Sequence, residues 1–122
     1  MNKLLPALLT AAACALPAYA HEAGKPKHGG VVQSASDLAF ELVRQPDGVV
    51  LYVEDHGKPL PTQGMGGKLT VLNGKDKTEA ELKPVGDNRL EAKGVQLGAG
   101  AKAVAALTTP SKKAVTVRFT VK

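Results

Sequence analysis

Residues 114–122 read AVTVRFTVK, and this stretch decides the fold class because apolar and polar side chains alternate along it. Val115, Val117, Phe119 and Val121 take one set of alternate positions, and from residue 116 onward the other set is polar, namely Thr116, Arg118, Thr120 and Lys122. Successive side chains of a β-strand point to opposite faces, so a period of two predicts a strand with one buried and one solvated face. The stretch is therefore predicted to be a β-strand that covers a hydrophobic core.

The same period of two, looser in places, recurs from Gly29 onward. Further strands are predicted at residues 30–34, 38–43, 49–53, 68–72, 78–82, 89–93 and 102–108. Turn sequences separate them, namely Pro46-Asp47-Gly48, His56-Gly57-Lys58-Pro59, Asn73-Gly74-Lys75-Asp76 and Val85-Gly86-Asp87-Asn88. The pattern predicts an all-β domain, either an immunoglobulin-like β-sandwich or a small barrel of seven to eight antiparallel strands.

Asn73 and Gly74 form the strongest hairpin signal in the chain. Both central residues of a type I′ turn need a positive φ, which asparagine and glycine tolerate better than other residues. We therefore expect Asn73 and Gly74 to be the two central residues of such a turn.

Residues 1–20 have the composition of a secretory signal peptide. Lys3 precedes an apolar run that is too short to span a bilayer, and Ala18-Tyr19-Ala20 forms an A-x-A cleavage sequence. We predict cleavage before His21, a flexible segment at residues 21–28, a domain at residues 29–122 and a periplasmic location. Lipoprotein processing at Cys14, the one cysteine of the chain, is the weaker alternative.

The charge of the chain argues against a nucleic-acid partner. The sequence has 16 lysines and arginines and 11 acidic residues; without Lys3, 15 cationic residues remain, for a net charge of +4. Lysines and acidic residues alternate around residues 68–83, as they do on a solvated surface. Stacking on nucleotide bases needs aromatic side chains, and only Phe40, Tyr52 and Phe119 follow the predicted cleavage site.

Three sequence features resemble a known family. His28-Gly29-Gly30 opens the domain, residues 37–42 read DLAFEL, and Asp55-His56-Gly57-Lys58-Pro59 ends the third predicted strand. With the rest of residues 27–122, they resemble the small accessory β-domain of periplasmic adaptor (membrane-fusion) subunits of heavy-metal RND efflux pumps, and related free-standing periplasmic proteins. The resemblance implies the β-fold and a metal-handling context, with an efflux adaptor or pump subunit as the partner. The adaptor's coiled-coil, lipoyl-like and barrel segments have no counterpart here.

A first candidate metal site lies at the predicted mature N-terminus. A free N-terminal His21 offers its α-amino nitrogen and a ring nitrogen to one ion as a chelate, which suits copper(II). Glu22 and His28 are the further candidate ligands of this site. The opposing interpretation is that the segment has no metal role and that His28 is an ordinary surface residue before the first strand.

A second candidate site combines Asp55, His56 and Met65. An exposed Met65 thioether would suit copper(I), whereas zinc and nickel remain open for the histidines. The alternatives are that His56 is only a turn residue and that Met65 folds back onto the core. In a simple up-down-up meander, His28 and His56 lie at opposite ends of the sheet, about 20 Å apart, so one ion would not bind both.

We therefore expect a protein that is not an enzyme, because no hydrolase motif or carboxylate pair is visible. The predicted function is periplasmic metal handling, in which copper or another transition metal is buffered or passed to an efflux system. The alternative is a protein-interaction module of the cell envelope that binds no metal and pairs through an edge strand such as residues 114–122.

Overall fold

Strands make up all the regular secondary structure of the computed structural model, which describes residues 24–122. They are β1 (Val31–Ala35), β2 (Leu38–Gln45), β3 (Gly48–Asp55), β4 (Lys58–Pro59), β5 (Gly66–Asn73), β6 (Asp76–Pro84), β7 (Arg89–Lys93), β8 (Lys102–Thr108) and β9 (Ala114–Thr120). Within this range no helix is long and apolar enough to cross a membrane. The candidate ligands His21 and Glu22, the predicted cleavage site and Cys14 lie outside the described residues.

All strand pairs are antiparallel, and the order across the sheet is β1-β2-β3-β7-β6-β5-β8-β9, with β4 paired to β3. Strand β6 joins two curved sheets, because its residues 76–82 pair with β5 whereas Lys83 and Pro84 pair with β7. We call β1, β2, β3, β4 and β7 the first sheet, and β5, β6, β8 and β9 the second sheet. Strands β1 and β9 lie side by side, so the sheet is nearly closed into a barrel. The all-β prediction is confirmed, and all eight predicted strands are present.

The hydrophobic core lies between the two sheets and is built from the alternate residues that the sequence pattern indicates. Its most buried large side chains include Phe40, Leu51, Leu69, Leu82 and Leu90. In β9, Val115, Val117 and Phe119 face this core while the residues between them are exposed. The opening stretch therefore folds as its period of two predicts.

The turn prediction at Asn73 is wrong in one respect. Asn73 pairs with Asp76, so the central residues are Gly74 and Lys75, and of these two only Gly74 has a positive φ (62°). The side chain of Asn73 instead binds the loop before β8: its Nδ2 donates to the Gln96 carbonyl (2.9 Å), and its Oδ1 accepts from the Gly98 N–H (2.8 Å). This tertiary contact explains why asparagine occupies the last position of β5.

Two adjacent hairpins of the first sheet have the φ signature of type I′ turns. Ser36 and Asp37 connect β1 to β2 with φ of 50° and 63°. His56 and Gly57 connect β3 to β4 with φ of 50° and 80°. Because β2 pairs with β3 through Leu38 and Asp55, the two turns lie at the same end of the sheet.

Candidate functional site

The outer face of the first sheet carries a buried carboxylate that sequence patterning did not single out. Phe40 and Leu42 face the core, so Glu41 between them points to the opposite face of β2. Only 5% of Glu41 is exposed. Its Oε1 accepts a hydrogen bond from the backbone N–H of Lys27 (3.0 Å), and its Oε2 accepts from those of His28 (2.8 Å) and Gly30 (2.9 Å). These bonds compensate the desolvation of the carboxylate.

Residues 24–30, which we call the N-terminal strap, lie against the outer face of the first sheet. Gly29 has a φ of +74°, a left-handed conformation that suits glycine, and it separates β1 from the part of the strap that lies over the sheet. The His28 imidazole stacks on the Tyr52 ring, with centroids 3.7 Å apart and an interplanar angle of 9°. The Lys27 ammonium contacts Glu54 at 2.6 Å. Tyr52 and Glu54 belong to β3, so the strap reaches across β2 onto β3.

The strap separates two cavities. The first, of about 670 Å³, is lined by strap residues 24, 25 and 27 and by both type I′ turns, including Asp37, His56 and Gly57. The second, of about 880 Å³, lies beside the seam between β1 and β9 and is lined by His28, Arg44 and Lys122 among others. Gly24, the first described residue, lines both cavities.

His56 and Asp55 are in direct contact at the rim of the first cavity. The His56 Nδ1 lies 2.5 Å from the Asp55 Oδ1, and the two side chains are 77% and 47% exposed. A carboxylate on one ring nitrogen fixes the imidazole and leaves Nε2 as the position that can bind a metal. The pair therefore has the arrangement of an oriented, solvent-accessible ligand.

His28 is exposed but stacked, and it lies on the other side of the strap from His56. It lines the seam cavity, whereas His56 lines the cavity beside the turns. The predicted meander of β1, β2 and β3 is confirmed. The strap also places the His28 ring on Tyr52, four residues before His56. At about 3.3 Å per residue this corresponds to roughly 13 Å along β3.

Met65 is 4% exposed and belongs to the hydrophobic core. Its backbone N–H donates to the Thr62 carbonyl (2.9 Å) in the loop between β4 and β5. Of the two interpretations of Met65, the one in which it folds back onto the core is confirmed. A solvent-accessible thioether is therefore missing from the second candidate site.

Among residues 24–122, no three histidine, cysteine, aspartate or glutamate side chains are grouped closely enough to hold a metal ion. The described ligands come as the Asp55 and His56 pair in one place and His28 in another. A metal site of ordinary coordination number at either place needs further ligands, and His21 and Glu22 are the candidates that the chain offers before Gly24.

The covered outer face of the first sheet had a sequence signal, although Glu41 itself did not. In β2 and β3 the outward positions include Ala39, Val43 and Val50, and Val50 is 1% exposed without belonging to the core. Apolar residues at both inward and outward positions indicate a strand that is covered on both faces. The pattern therefore indicates a covered outer face, although it does not identify what covers it.

Comparison of the chain with protein-family models, with curated proteins and with solved structures finds no match. The resemblance to the accessory domain of efflux adaptors accordingly stays a prediction from the motifs quoted above.

Proposed function

We propose that this protein is exported, is cleaved before His21 and binds copper(II) through its new N-terminus. In this proposal the protein buffers the copper or passes it to an efflux system. The α-amino and imidazole nitrogens of His21 form the chelate in this proposal, and the Nε2 of His56 is the third nitrogen. Imidazole and amine nitrogens are good copper(II) ligands, and such binding requires the amine to be deprotonated.

The observation that carries the proposal is the course of the strap. Glu41 binds the backbone of Lys27, His28 and Gly30, and the strap then leads to Gly24, which lines both the cavity beside His56 and the seam cavity beside His28. His21 is three residues before Gly24, and an extended chain spans at most about 3.6 Å per residue. The N-terminal chelate is therefore within about 11 Å of the Gly24 position.

The contact between Asp55 and His56 favours His56 over His28 as the third ligand. Histidine ligands usually bind a carboxylate or a carbonyl through the nitrogen that does not face the metal, as Asp55 does here at 2.5 Å. The His28 ring already packs against Tyr52 and thereby holds the strap. Glu22 is a further oxygen ligand available next to His21.

The burial of Met65 favours copper(II) over copper(I). Copper(I) prefers thioether and thiolate sulfur, and the single cysteine, Cys14, lies in the segment that the proposal removes. A site of nitrogen and oxygen ligands suits copper(II) and, with lower affinity in the usual order of divalent metals, zinc or nickel.

The test is calorimetric titration of copper(II) into protein exported to a periplasm, after intact-mass measurement has established that it begins at His21. We expect one bound copper and a loss of this binding in His21→Ala. Acetylation of the α-amino group, which reacts before the lysines near neutral pH because its pKa is lower, keeps the imidazole but removes the amine as a ligand, and it should also remove the chelate. Zinc and nickel titrations under the same conditions give the metal preference.

Three further variants test the third ligand. His56→Ala is expected to weaken copper binding, and Asp55→Asn should weaken it by about 10-fold, as loss of a partner that orients a ligand typically does. His28→Phe is the matched control: it removes the imidazole nitrogens of the strap but keeps an aromatic ring against Tyr52, so it should leave the affinity within about twofold. Equal losses in His28→Phe and His56→Ala would contradict the assignment of His56, and wild-type protein that binds no copper would refute the proposal.

Transfer of the metal to an efflux adaptor is supported only by the sequence resemblance. Mixing the copper-loaded protein with a metal-free adaptor subunit, followed by separation and metal analysis of both, tests this part. Copper that stays entirely on the protein would leave buffering as its role.

A further inference from the structure

The charges of the chain are segregated along the sequence. All 11 acidic residues precede Ala92, whereas residues 92–122 contain six cationic residues and no acidic one. The cationic residues are Lys93, Lys102, Lys112, Lys113, Arg118 and Lys122. Five of them belong to the β8–β9 hairpin and the last residues of the chain.

Three of these cations share one solvated face of the second sheet. Lys102 pairs with Thr120, and Arg118 pairs with Val104, so Lys102 and Arg118 are diagonal neighbours on adjacent strands. The ladder continues past Thr120, since the Val121 N–H donates to the Ala101 carbonyl (2.8 Å). Lys122 therefore lies on the same face as Arg118 and Thr120. We call Lys102, Arg118 and Lys122 the cationic face.

Carboxylates on the same sheet do not neutralise the cationic face. Within residues 24–122, none of its three residues forms an ion pair. The nearest acidic residues on the sheet are on β6, where Glu79 contacts Lys68 at 3.2 Å and Lys77 at 3.4 Å. Their hydrogen bonds and charges, with Lys68 the larger contributor, hold the pKa of Glu79 below its ordinary value. The β6 carboxylate is thus engaged by other lysines.

The other outward side chains of β8 and β9 are small, and Leu72 of β5, which pairs with Lys102 and is 38% exposed, is a large apolar side chain beside them. The outward positions of β8 and β9 include Val104, Ala106, Thr116 and Thr120, and the three aromatic residues after position 20 lie elsewhere: Phe40 and Phe119 in the core, and Tyr52 on the first sheet. Stable protein–protein interfaces are dominated by large aromatic or arginine anchors that enter pockets. A shallow face with unpaired cations and small residues is instead suited to a planar array of negative charges.

We propose that the cationic face binds the surface of an anionic phospholipid bilayer. Lysine and arginine next to such a surface are attracted to its lipid phosphates, and several cations on one face act together. Since the face lacks aromatic side chains that insert into lipid, binding is electrostatic, reversible and sensitive to salt. Lys102 and Arg118 are on the second sheet, whereas the proposed metal ligand His56 is on the first, so the two proposed sites are distinct, although Lys122 also lines the seam cavity beside the strap.

The test is co-sedimentation of the protein with lipid vesicles, after the signal peptide has been removed. One vesicle preparation contains equal parts phosphatidylglycerol and phosphatidylcholine, and the other contains phosphatidylcholine alone. We expect binding to the anionic vesicles alone. Raising the salt to about 1 M shortens the Debye length to about 3 Å and should release the protein. The triple variant Lys102→Glu, Arg118→Glu, Lys122→Glu should lower the partition coefficient by at least about 100-fold.

A matched control replaces three other exposed lysines, Lys58, Lys83 and Lys93, by glutamate and so reverses their charge. These lysines belong to the first sheet or to the end of β6 that pairs with it. This control changes the net charge equally and should lower the partition coefficient by less than about 10-fold. Circular dichroism establishes that each variant is folded, and glutamine at the same three positions replaces glutamate if the reversal prevents folding. Equal losses in the two triple variants, or binding to poly-L-glutamate without binding to anionic vesicles, would overturn the proposal.

Discussion

At the scale of single residues, Glu41 determines where the chain before β1 lies. Its carboxylate is 5% exposed on the outer face of β2 and accepts three backbone N–H groups of the strap. A buried carboxylate without such partners would cost several kcal/mol, and strap amides without an acceptor would need water. In the described part of the chain, no buried side-chain nitrogen or oxygen lacks a hydrogen-bond partner. The strap and Glu41 therefore stabilise each other.

Replacing Glu41 by alanine is expected to release the strap and to lower the free energy of unfolding by about 1–3 kcal/mol, because three hydrogen bonds lose their common acceptor. Urea denaturation measures the stability, and hydrogen exchange of the Lys27, His28 and Gly30 amides reports on the strap. Glu81→Ala is the control, since Glu81 is 71% exposed and its carboxylate forms a single ion pair within residues 24–122, with Lys83 at 3.8 Å. Unchanged amide exchange in Glu41→Ala would contradict this account of the strap.

At the scale of elements, the sequence pattern predicts each strand but does not contain all of its contacts. Strand β5 begins with Gly66 and Gly67, and the second of them pairs with Leu82 on one side and Leu107 on the other. A Cβ atom on Gly67 would clash with the Ala106 carbonyl oxygen and would lie 3.0 Å from the Leu107 Cα. The close approach of β8 thus requires glycine at this position, although its φ is ordinary.

Gly67→Ala is expected to destabilise the protein by about 1–3 kcal/mol, because backbone atoms of β8 have to move to admit the methyl group. Gly66→Ala is the matched control: a Cβ there meets no atom within 4 Å, and its φ is not positive. That variant should be neutral or more stable by about 0.4–1 kcal/mol, since alanine restricts the unfolded chain. Thermal unfolding monitored by circular dichroism compares the two glycine variants, and similar melting temperatures for them would contradict the prediction.

At the scale of the whole molecule, one strand connects the two sheets and one core fills the space between them. Strand β6 pairs with β5 in the second sheet and with β7 in the first, and Leu82 near the crossing point is 1% exposed. Neither sheet buries its apolar face without the other. The two sheets are therefore expected to unfold together.

Leu82→Ala should lower the free energy of unfolding by about 2–5 kcal/mol, as large-to-small substitutions in well-packed cores do. Tyr52 fluorescence reports on the first sheet, and far-ultraviolet circular dichroism reports on all strands. Their urea transitions should coincide in the wild type and should shift together in the variant. Separate midpoints for the two signals would show that the sheets unfold independently.

The sequence by itself determined the fold class, the eight main strands and the residues that face the core, because alternation in a strand is a local property of the chain. Val115, Val117 and Phe119 could be placed without knowledge of any other strand. The burial of Met65 was one of two interpretations, and periodicity could not choose between them because the residue lies in a loop between glycines.

Only the tertiary structure decided how residues far apart in sequence meet. The hydrogen bonds from the strap to Glu41 span 11 to 14 residues, and those of Asn73 to the loop before β8 span 23 and 25. No local period records such pairs, since they depend on the register of several strands and on the reversal at Gly29. The same reason applies to the cationic face: its residues are 16 and 4 positions apart in the chain, and the pairing of β8 with β9 makes them neighbours.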